Sequence, residues 1–371
     1  DMVVVGYGAS ELEDLLELEL QQTGRYVNPD PNPDKGYFYR SDHISLAKRG
    51  VPMLYAGGGF DLVNGGRQAG FAFAESYRLD AYHGVADEYD ESWNLEGLNQ
   101  SIAAALAGAD VLHFGAVGDD GAALLKALDD AGVDTRGVVQ LEYGSGHALI
   151  QVDSSGRNAI VIYPGANRSV PQRQWQSMFD SMQAGDWLLL QNETNDIAEI
   201  LTYGKQCGTK MAINLAPADE RISDYPIQHA ALLIVNEIEA MALAATSTVK
   251  SAFVELHQRY PDTDIVLTLG GDGLWCAPAN QSVALILDSY EVAAVDETAA
   301  GDAFIGYLMA ALLAEEGMPE ALMLACAAGA LAVTQAGAAS SLPSLDKVEA
   351  LRFDNSLAMR QLEFDNFKRQ M

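Results

Sequence analysis

From about residue 98 to residue 350, short runs of branched apolar side chains alternate with segments whose apolar positions recur every three or four residues, and turn-forming residues fall between them. That alternation predicts βαβ units built around a parallel sheet. The expected strands are ADVLHFGAV (109–117), DWLLLQ (186–191), KMAINL (210–215), ALLIVN (231–236) and DIVLTLG (264–270). Helices are expected between them, for example GAALLKALDDAG (121–132), with Gly132 as its C-cap. HALIQVDSSGRNAIVIYP (147–164) is two alternating runs around an SSG turn, the pattern of a hairpin. ALMLACAAGALAVTQAGAA (321–339) carries no charge, yet its Ala and Gly content and the charged segments beside it predict a helix inside a soluble core, not a membrane span.

The first 96 or so residues have a different texture. A VVV strand leads to an acidic amphipathic helix, ELEDLLELELQQ (11–22), and to a polar loop, NPDPNPDKG (28–36). A helix over SDHISLAKRG (41–50) and a strand over VPMLYAGGG (51–59) are expected next, and the segment closes on the tyrosine- and acid-rich run YHGVADEYDESWN (82–94). The break in composition near residues 94–98 is the expected domain boundary.

Composition narrows the partners. The chain has 371 residues, 49% of them hydrophobic, enough for a globular fold of one large and one smaller domain. A formal net charge of −30 excludes nucleic acid and anionic membrane as expected partners, since both would repel it. Cys207, Cys276 and Cys326 lie far apart without a CxxC pair, which predicts reduced thiols. No basic segment followed by an apolar core opens the sequence, so the expected location is the cytoplasm.

Candidate chemistry concentrates in VDETAAGDAF (295–304) and the helical pattern after it. Small residues let the backbone N–H groups of Ala299, Ala300 and Gly301 approach an anion at a helix N-terminus. Asp302, in the first turn, could take a proton from a hydroxyl attacking a phosphoryl group held there, or could merely complement the helix dipole. Three further stretches stand in order along the same half: INLAPA (213–218) closing a strand, NEIEA (236–240) after another, and the glycine loop TLGGDG (268–273) after a third. Asn236 and Glu239 suit Mg²⁺-bound water and phosphate oxygens, and the loop glycines allow close approach to phosphates.

These stretches, with LNQSIAAALAGADVLHFGAVGDD, AGVDT, IYPGAN and AVTQAGAASSLP, resemble the ribokinase branch of the PfkB sugar-kinase family over residues 97–350. The resemblance implies an α/β three-layer sandwich and ATP-dependent phosphorylation of a sugar hydroxyl, most simply D-ribose to D-ribose 5-phosphate. Asp302 would be the base and Ala299 to Gly301 the anion hole, with ATP and Mg²⁺ as partners. It puts Asn236, Glu239, Thr268, Gly270, Gly271, Gly273, Gly301 and Cys326 around the nucleotide, and Asn99 and Glu193 on the sugar. It also implies a K⁺ cage at Asp296, Thr298, Ala332, Gln335, Gly337 and Ser341; Glu297 departs from the family's usual Thr. A homodimer is compatible with it.

The motif that reads GGKGxNQ in that family reads NLEGLNQ (94–100) here, so Asn94, Leu95 and Glu96 replace two glycines and a lysine. The sandwich is therefore expected to lack its N-terminal strand and lid region, and sugar phosphorylation to be impaired. YFYRSDHISLAKRGVPMLYAGGG and YHGVADEYDESWNLEGL resemble the end of a zinc aminopeptidase-like fold, an α/β peptidase fragment over residues 1–96. That resemblance makes His83 a vestigial zinc ligand and sets Asp42 and His43 by the old pocket. Residues 351–371 are expected as a helical tail. Besides the kinase, the readings left open are a nucleotide-binding chimera without turnover and a zinc aminopeptidase.

Overall fold

In a computed structural model of the protein, the described residues are 2–5, 12–22, 26–29, 55–58, 96–152, 158–355 and 357–370. The chain divides into two compact units, residues 1–89 and 90–371.

In the first unit the apolar strand β1 (Met2–Val5) is central, parallel to β2 (Val27–Pro29) and antiparallel to β3 (Tyr55–Gly58). Helix α1 (Leu12–Gln22) buries Leu20 and also Glu13. The expected loop over 28–36 is corrected at its start, because Asn28 and Pro29 pair with Val3 and Val4. A proline fits there because, among the described residues, β2 is an edge strand and Pro29 its last residue. The helix expected at 41–50 and the run 82–94, with Asp42, His43 and His83, lie outside the described residues.

The second unit opens with α2 (Glu96–Leu106), β4 (Leu112–Val117), α3 (Ala122–Asp130) and β5 (Asp134–Gln140). Gly132 sits past the end of α3 at φ +82°, and Val133 N–H bonds the Leu128 carbonyl at 3.0 Å, which closes the helix as the glycine predicted. Strands β6 (His147–Val152) and β7 (Asn158–Tyr163) form the expected antiparallel hairpin. There follow α4 (Gln172–Ser181), β8 (Trp187–Gln191), α5 (Ile197–Cys207), β9 (Lys210–Asn214), β10 (Leu232–Asn236), α6 (Glu237–Ala244), α7 (Val249–Arg259), β11 (Asp264–Thr268), β12 (Leu274–Ala277) and β13 (Val283–Leu287). The chain ends in α8 (Ala300–Leu313), α9 (Met318–Ala332), α10 (Leu345–Asp354), β14 (Met359–Glu363) and α11 (Phe364–Gln370).

The main sheet has seven strands in the order β14-β13-β12-β11-β10-β9-β8. Strands β8 to β11 are parallel, as expected, but β12, β13 and β14 continue antiparallel, so the sheet is mixed. Alternation along each strand feeds two cores. Ala212, Leu232, Ile234, Val266, Leu285 and Leu287 face the layer of α2, α3, α8, α9 and α10. Met211, Ile213, Leu233, Val235, Ile265, Leu267 and Ile286 face α4, α5, α6, α7 and α11. A sheet buried on both sides is what continuous apolar runs such as LLIV require, and the result is three layers.

The expected helical tail is corrected as well. Residues 359–363 pair with β13 as the edge of the sheet, and α11 after them buries Phe364 and Phe367 against Phe253. Arg360 and Glu363 on β14 protect that edge with charge. Among the described residues no helix is long and apolar enough to cross a membrane; the stretch 321–339 lies within and just past α9, whose Ala321, Leu322, Ala325 and Ala328 are buried.

Candidate active site

The C-terminal ends of β8, β9, β10 and β11 carry polar residues, Gln191, Asn214, Asn236 and Thr268, where parallel strands of this class present ligands. Helix α8 begins with Ala299 at φ +61°, a left-handed conformation that a side chain rarely adopts. The first N–H groups of a helix have no acceptor within it. A Cβ added at Gly301 would meet nothing within 4 Å, so space lies over this first turn.

Asp302 follows in that turn and is 7% exposed. Its Oδ2 accepts from Asn99 Nδ2 and its Oδ1 from Gln100 Nε2, both at 3.1 Å. Gln100 Nε2 also donates to Asn214 Oδ1 at 3.3 Å, and Asn214 Nδ2 donates to the Ile234 carbonyl at 3.4 Å. The approach of α2 depends on Gly306 of α8, since a Cβ there would lie 2.4 Å from the Cβ of Ala103. Asn99 is fully buried and its Oδ1 has no hydrogen-bond partner. A buried orphan acceptor is costly unless something donates to it, and a hydroxyl-bearing ligand beside Asp302 would do so.

Asp296 forms a second centre. Its Oδ1 accepts from Thr298 N–H at 2.9 Å and from the Thr298 hydroxyl at 2.6 Å, while Oδ2 accepts from Gly337 N–H at 3.0 Å. The Thr298 hydroxyl first, then the Gly337 and Thr298 amides, hold its carboxyl below the usual range. Of the six residues expected around a monovalent cation, the structure thus links Asp296, Thr298 and Gly337 directly. Val295 and Asp296 N–H groups bond the Val333 carbonyl, next to Ala332, and Ser341 is buried with its hydroxyl on the Ala338 carbonyl.

Asn236 and Glu239 are engaged with each other. Asn236 Oδ1 accepts from Glu239 N–H, and the Glu239 carboxylate accepts from the Asn236 backbone and side-chain N–H groups, all between 2.8 and 2.9 Å. This is a capping box at the start of α6, a role the sequence reading did not assign. Burial pushes the Glu239 carboxyl above its ordinary range. The loop after β11 turns at Gly270 (φ +54°) and Gly273 (φ +91°); a Cβ at Gly273 would strike the Leu287 carbonyl at 2.0 Å, whereas at Gly270 and Gly271 it would meet open space. Cys326, in α9, is half-buried, and burial pushes its thiol up to about 12. Glu193 is half-buried in the loop after β8.

Sequence reasoning missed Gln100 and Asn214 as members of the site. The signal for Asn214 was present, a polar residue ending the apolar strand KMAIN at the level of Asn236 in ALLIVN. It also missed Asn192, whose Nδ2 donates to the Pro217 carbonyl at 2.6 Å and whose Oδ1 accepts from the Tyr225 hydroxyl at 2.6 Å, tying the loop after β8 to the INLAPA segment. Among the described residues no group of three or more His, Cys, Asp or Glu side chains is placed to hold a metal ion, and His83 lies outside them.

Known proteins share this fold. Ribokinase from Haemophilus influenzae is 33% identical over 280 residues, covering 72% of this chain and 89% of its own. The ribokinase structure from Thermotoga maritima superposes with a TM-score of 0.61 at 30% identity, covering 70% of this chain and 87% of that one. That of Cryptococcus neoformans ribokinase in complex with ADP gives 0.61 at 29% identity, over 69% and 87%. Residues 1–107 match the sequence model of peptidase family M28. Residues 96–345 match that of the pfkB family carbohydrate kinases. That span takes in Asn99, the strand ends and Asp302, and with it the chain belongs to the pfkB family of ATP-dependent carbohydrate kinases.

Proposed function

We propose that the protein transfers the γ-phosphoryl group of ATP to the 5-hydroxyl of D-ribose, with Asp302 as the base. The observation that carries this is the buried carboxylate of Asp302, oriented by Asn99 and Gln100 in the first turn of α8, beside open space at Gly301. Ribokinases among the relatives supply the choice of sugar. Asn99 Oδ1 accepts from a sugar hydroxyl, and Glu193 is a second sugar contact. The attacking hydroxyl gives its proton to Asp302 as its oxygen bonds the γ-phosphorus; the bond to the β-phosphate oxygen breaks and ADP leaves. The N–H groups of Ala299 to Gly301 stabilise the charge on the transferring group.

Asn236 and Glu239 of the NEIEA segment would hold Mg²⁺, through water because their side chains already satisfy each other, and the ion would supply positive charge to the phosphate oxygens. The oxygen-rich surroundings of Asp296 fit K⁺, with Thr298, Ala332, Gln335, Gly337 and Ser341 supplying the rest of the donor set. The kinase domain runs from residue 97 to about 350, the cytoplasm is the proposed location, and a homodimer the proposed assembly. Turnover is reduced relative to a full sugar site, because lost positioning groups raise the barrier.

The test is ADP release with ribose, Mg²⁺ and K⁺, comparing the protein with Asp302→Asn. A positioned base contributes roughly 10²–10⁴-fold, so the variant should lose at least about 100-fold. Equal rates would refute the assignment, and ATP binding without any ribose-dependent turnover would favour a non-catalytic nucleotide-binding chain.

A further inference from the structure

Four buried polar side chains from three elements form one hydrogen-bonded series: Asn214 on β9, Gln100 and Asn99 on α2, and Asp302 on α8. Its direction is set by the sheet. Asn214 Nδ2 donates to the Ile234 carbonyl, so Asn214 Oδ1 faces α2 as an acceptor. Gln100 therefore has two acceptors before it, Asn214 Oδ1 and Asp302 Oδ1, and a primary amide has two N–H groups to meet them. With both used, the Gln100 amide cannot rotate without leaving a buried acceptor bare.

We propose that Gln100, anchored to the sheet through Asn214, is the positioning residue of the Asp302 carboxylate. It fixes Oδ1 as a hydrogen-bond acceptor while Asn99 Nδ2 bonds Oδ2, so the carboxylate is held in one orientation toward the attacking hydroxyl. An N–H donated to a carboxylate also favours its ionised form, the form that accepts a proton. The inference rests on Asp302 being the base of the phosphoryl transfer.

Of the elements packed on α8, β8 carries no charged residue and α2 carries only Glu96, at its start. The titratable groups of α9 are Glu320, in its first turn, and Cys326; Lys210 on β9 is at the opposite end of the strand from Asn214. On α8 itself Tyr307 is bonded to the Pro343 carbonyl at 2.8 Å, and Glu297 precedes the helix in an exposed position.

The experiment compares the full chain with Gln100→Leu, Asn214→Ala and Asp302→Asn. For Gln100→Leu, kcat for ribose-dependent ADP release should fall about 10- to 100-fold, with KM for ATP unchanged and the acid limb of the kcat–pH profile moved to higher pH. Asn214→Ala should move the same limb in the same direction by less, and it carries the test if Gln100→Leu does not fold. A readout independent of turnover is ¹³C-carboxyl NMR of aspartate-labelled protein, in which the Asp302 signal, assigned with Asp302→Asn, should titrate at higher pH in Gln100→Leu. An unmoved acid limb and an unmoved Asp302 titration, with Asp302→Asn inactive, would overturn this inference alone. Full activity of Asp302→Asn would overturn the reading of Asp302 beneath it.

Discussion

Gly306 and Gly301 share helix α8 and should respond in opposite ways to alanine. A Cβ at Gly306 would lie 2.4 Å from the Cβ of Ala103, 2.6 Å from the Ala104 nitrogen and 2.8 Å from the Ala103 carbonyl carbon. Carbon atoms in good contact sit roughly 3.5–4.0 Å apart, so α2 must retreat by about 1 Å. No side chain can rotate out of the way, because two of the three atoms are backbone and Ala103 is fully buried. Overpacking of this kind costs about 1–3 kcal/mol, and the rigid obstacle argues for the upper end. Replacing glycine in a helix interior returns about 1 kcal/mol. The net expectation for Gly306→Ala is a loss of about 1–2 kcal/mol.

The same retreat reaches the site. Asn99 and Gln100 each lie 3.1 Å from Asp302, and a further ~1 Å puts both pairs beyond hydrogen-bonding distance. A misplacement of ~1 Å can cost about 100-fold in rate. Gly301→Ala should instead keep or slightly raise stability, because its Cβ meets nothing within 4 Å, yet weaken ATP binding by filling the space over the first turn. Urea unfolding followed by the fluorescence of Trp175, Trp187 and Trp275, which pack in the two cores, measures the first quantity, and ADP release the second. A Gly306→Ala protein with the midpoint and kcat of the parent would refute the packing argument.

Two further outcomes follow from the packing and the charges. Cys207 is exposed while Cys276 is fully buried, and burial pushes the Cys276 thiol well up and that of Cys326 to about 12; a thiol reagent at pH 8 should label Cys207 in the folded chain and the other two only after denaturation, as peptide mass mapping would show. The carboxyl of Asp296 is depressed in the folded state by Thr298 and Gly337, so its stabilisation is present above the ordinary carboxylate pKa of about 3.9 and fades as pH falls through the lower folded value. Asp296→Asn should therefore melt below the parent at pH 7, with the gap closing in melts taken toward pH 3.

Where burial on both faces forces continuous apolar runs, the sequence was readable: KMAIN, LLIVN and DIVLT lie in adjacent parallel register as β9, β10 and β11. The antiparallel strands that follow were not, because direction is set by connection length and not by side-chain pattern. Gly273 turns the chain straight back from β11 into β12, a reversal too short for a crossover helix. Residues 359–363 escaped because their inward residues are few: only Met359 and Leu362 are half-buried, while Arg360, Gln361 and Glu363 are exposed. The place of Asp302 in the first turn of a helix was legible from the small residues Ala299, Ala300 and Gly301 before it. The amides around it were not, since Gln100 on α2 and Asn214 on β9 are neutral side chains more than a hundred residues apart that meet only in the folded chain. NEIEA was legible as a motif, but the reciprocal bonds of Asn236 and Glu239 show that its spacing also answers to helix capping.

Residues 96–107 fall within both family matches, and α2 occupies nearly all of that overlap. Packing shows which fold the helix serves. Ile102 and Ala103 are buried in the core of α8 and α9, Gly306 is small where α2 crosses, and Asn99 and Gln100 meet Asp302. None of these contacts involves a residue before Leu98. The substitutions in NLEGLNQ relative to the sugar-kinase motif, Asn94, Leu95 and Glu96, all come before that point. The two glycines that would let backbone approach a ligand are gone, and a carboxylate stands where the motif has a lysine. The residues of α2 that meet Asp302 thus lie in the part of the motif that these substitutions leave unchanged.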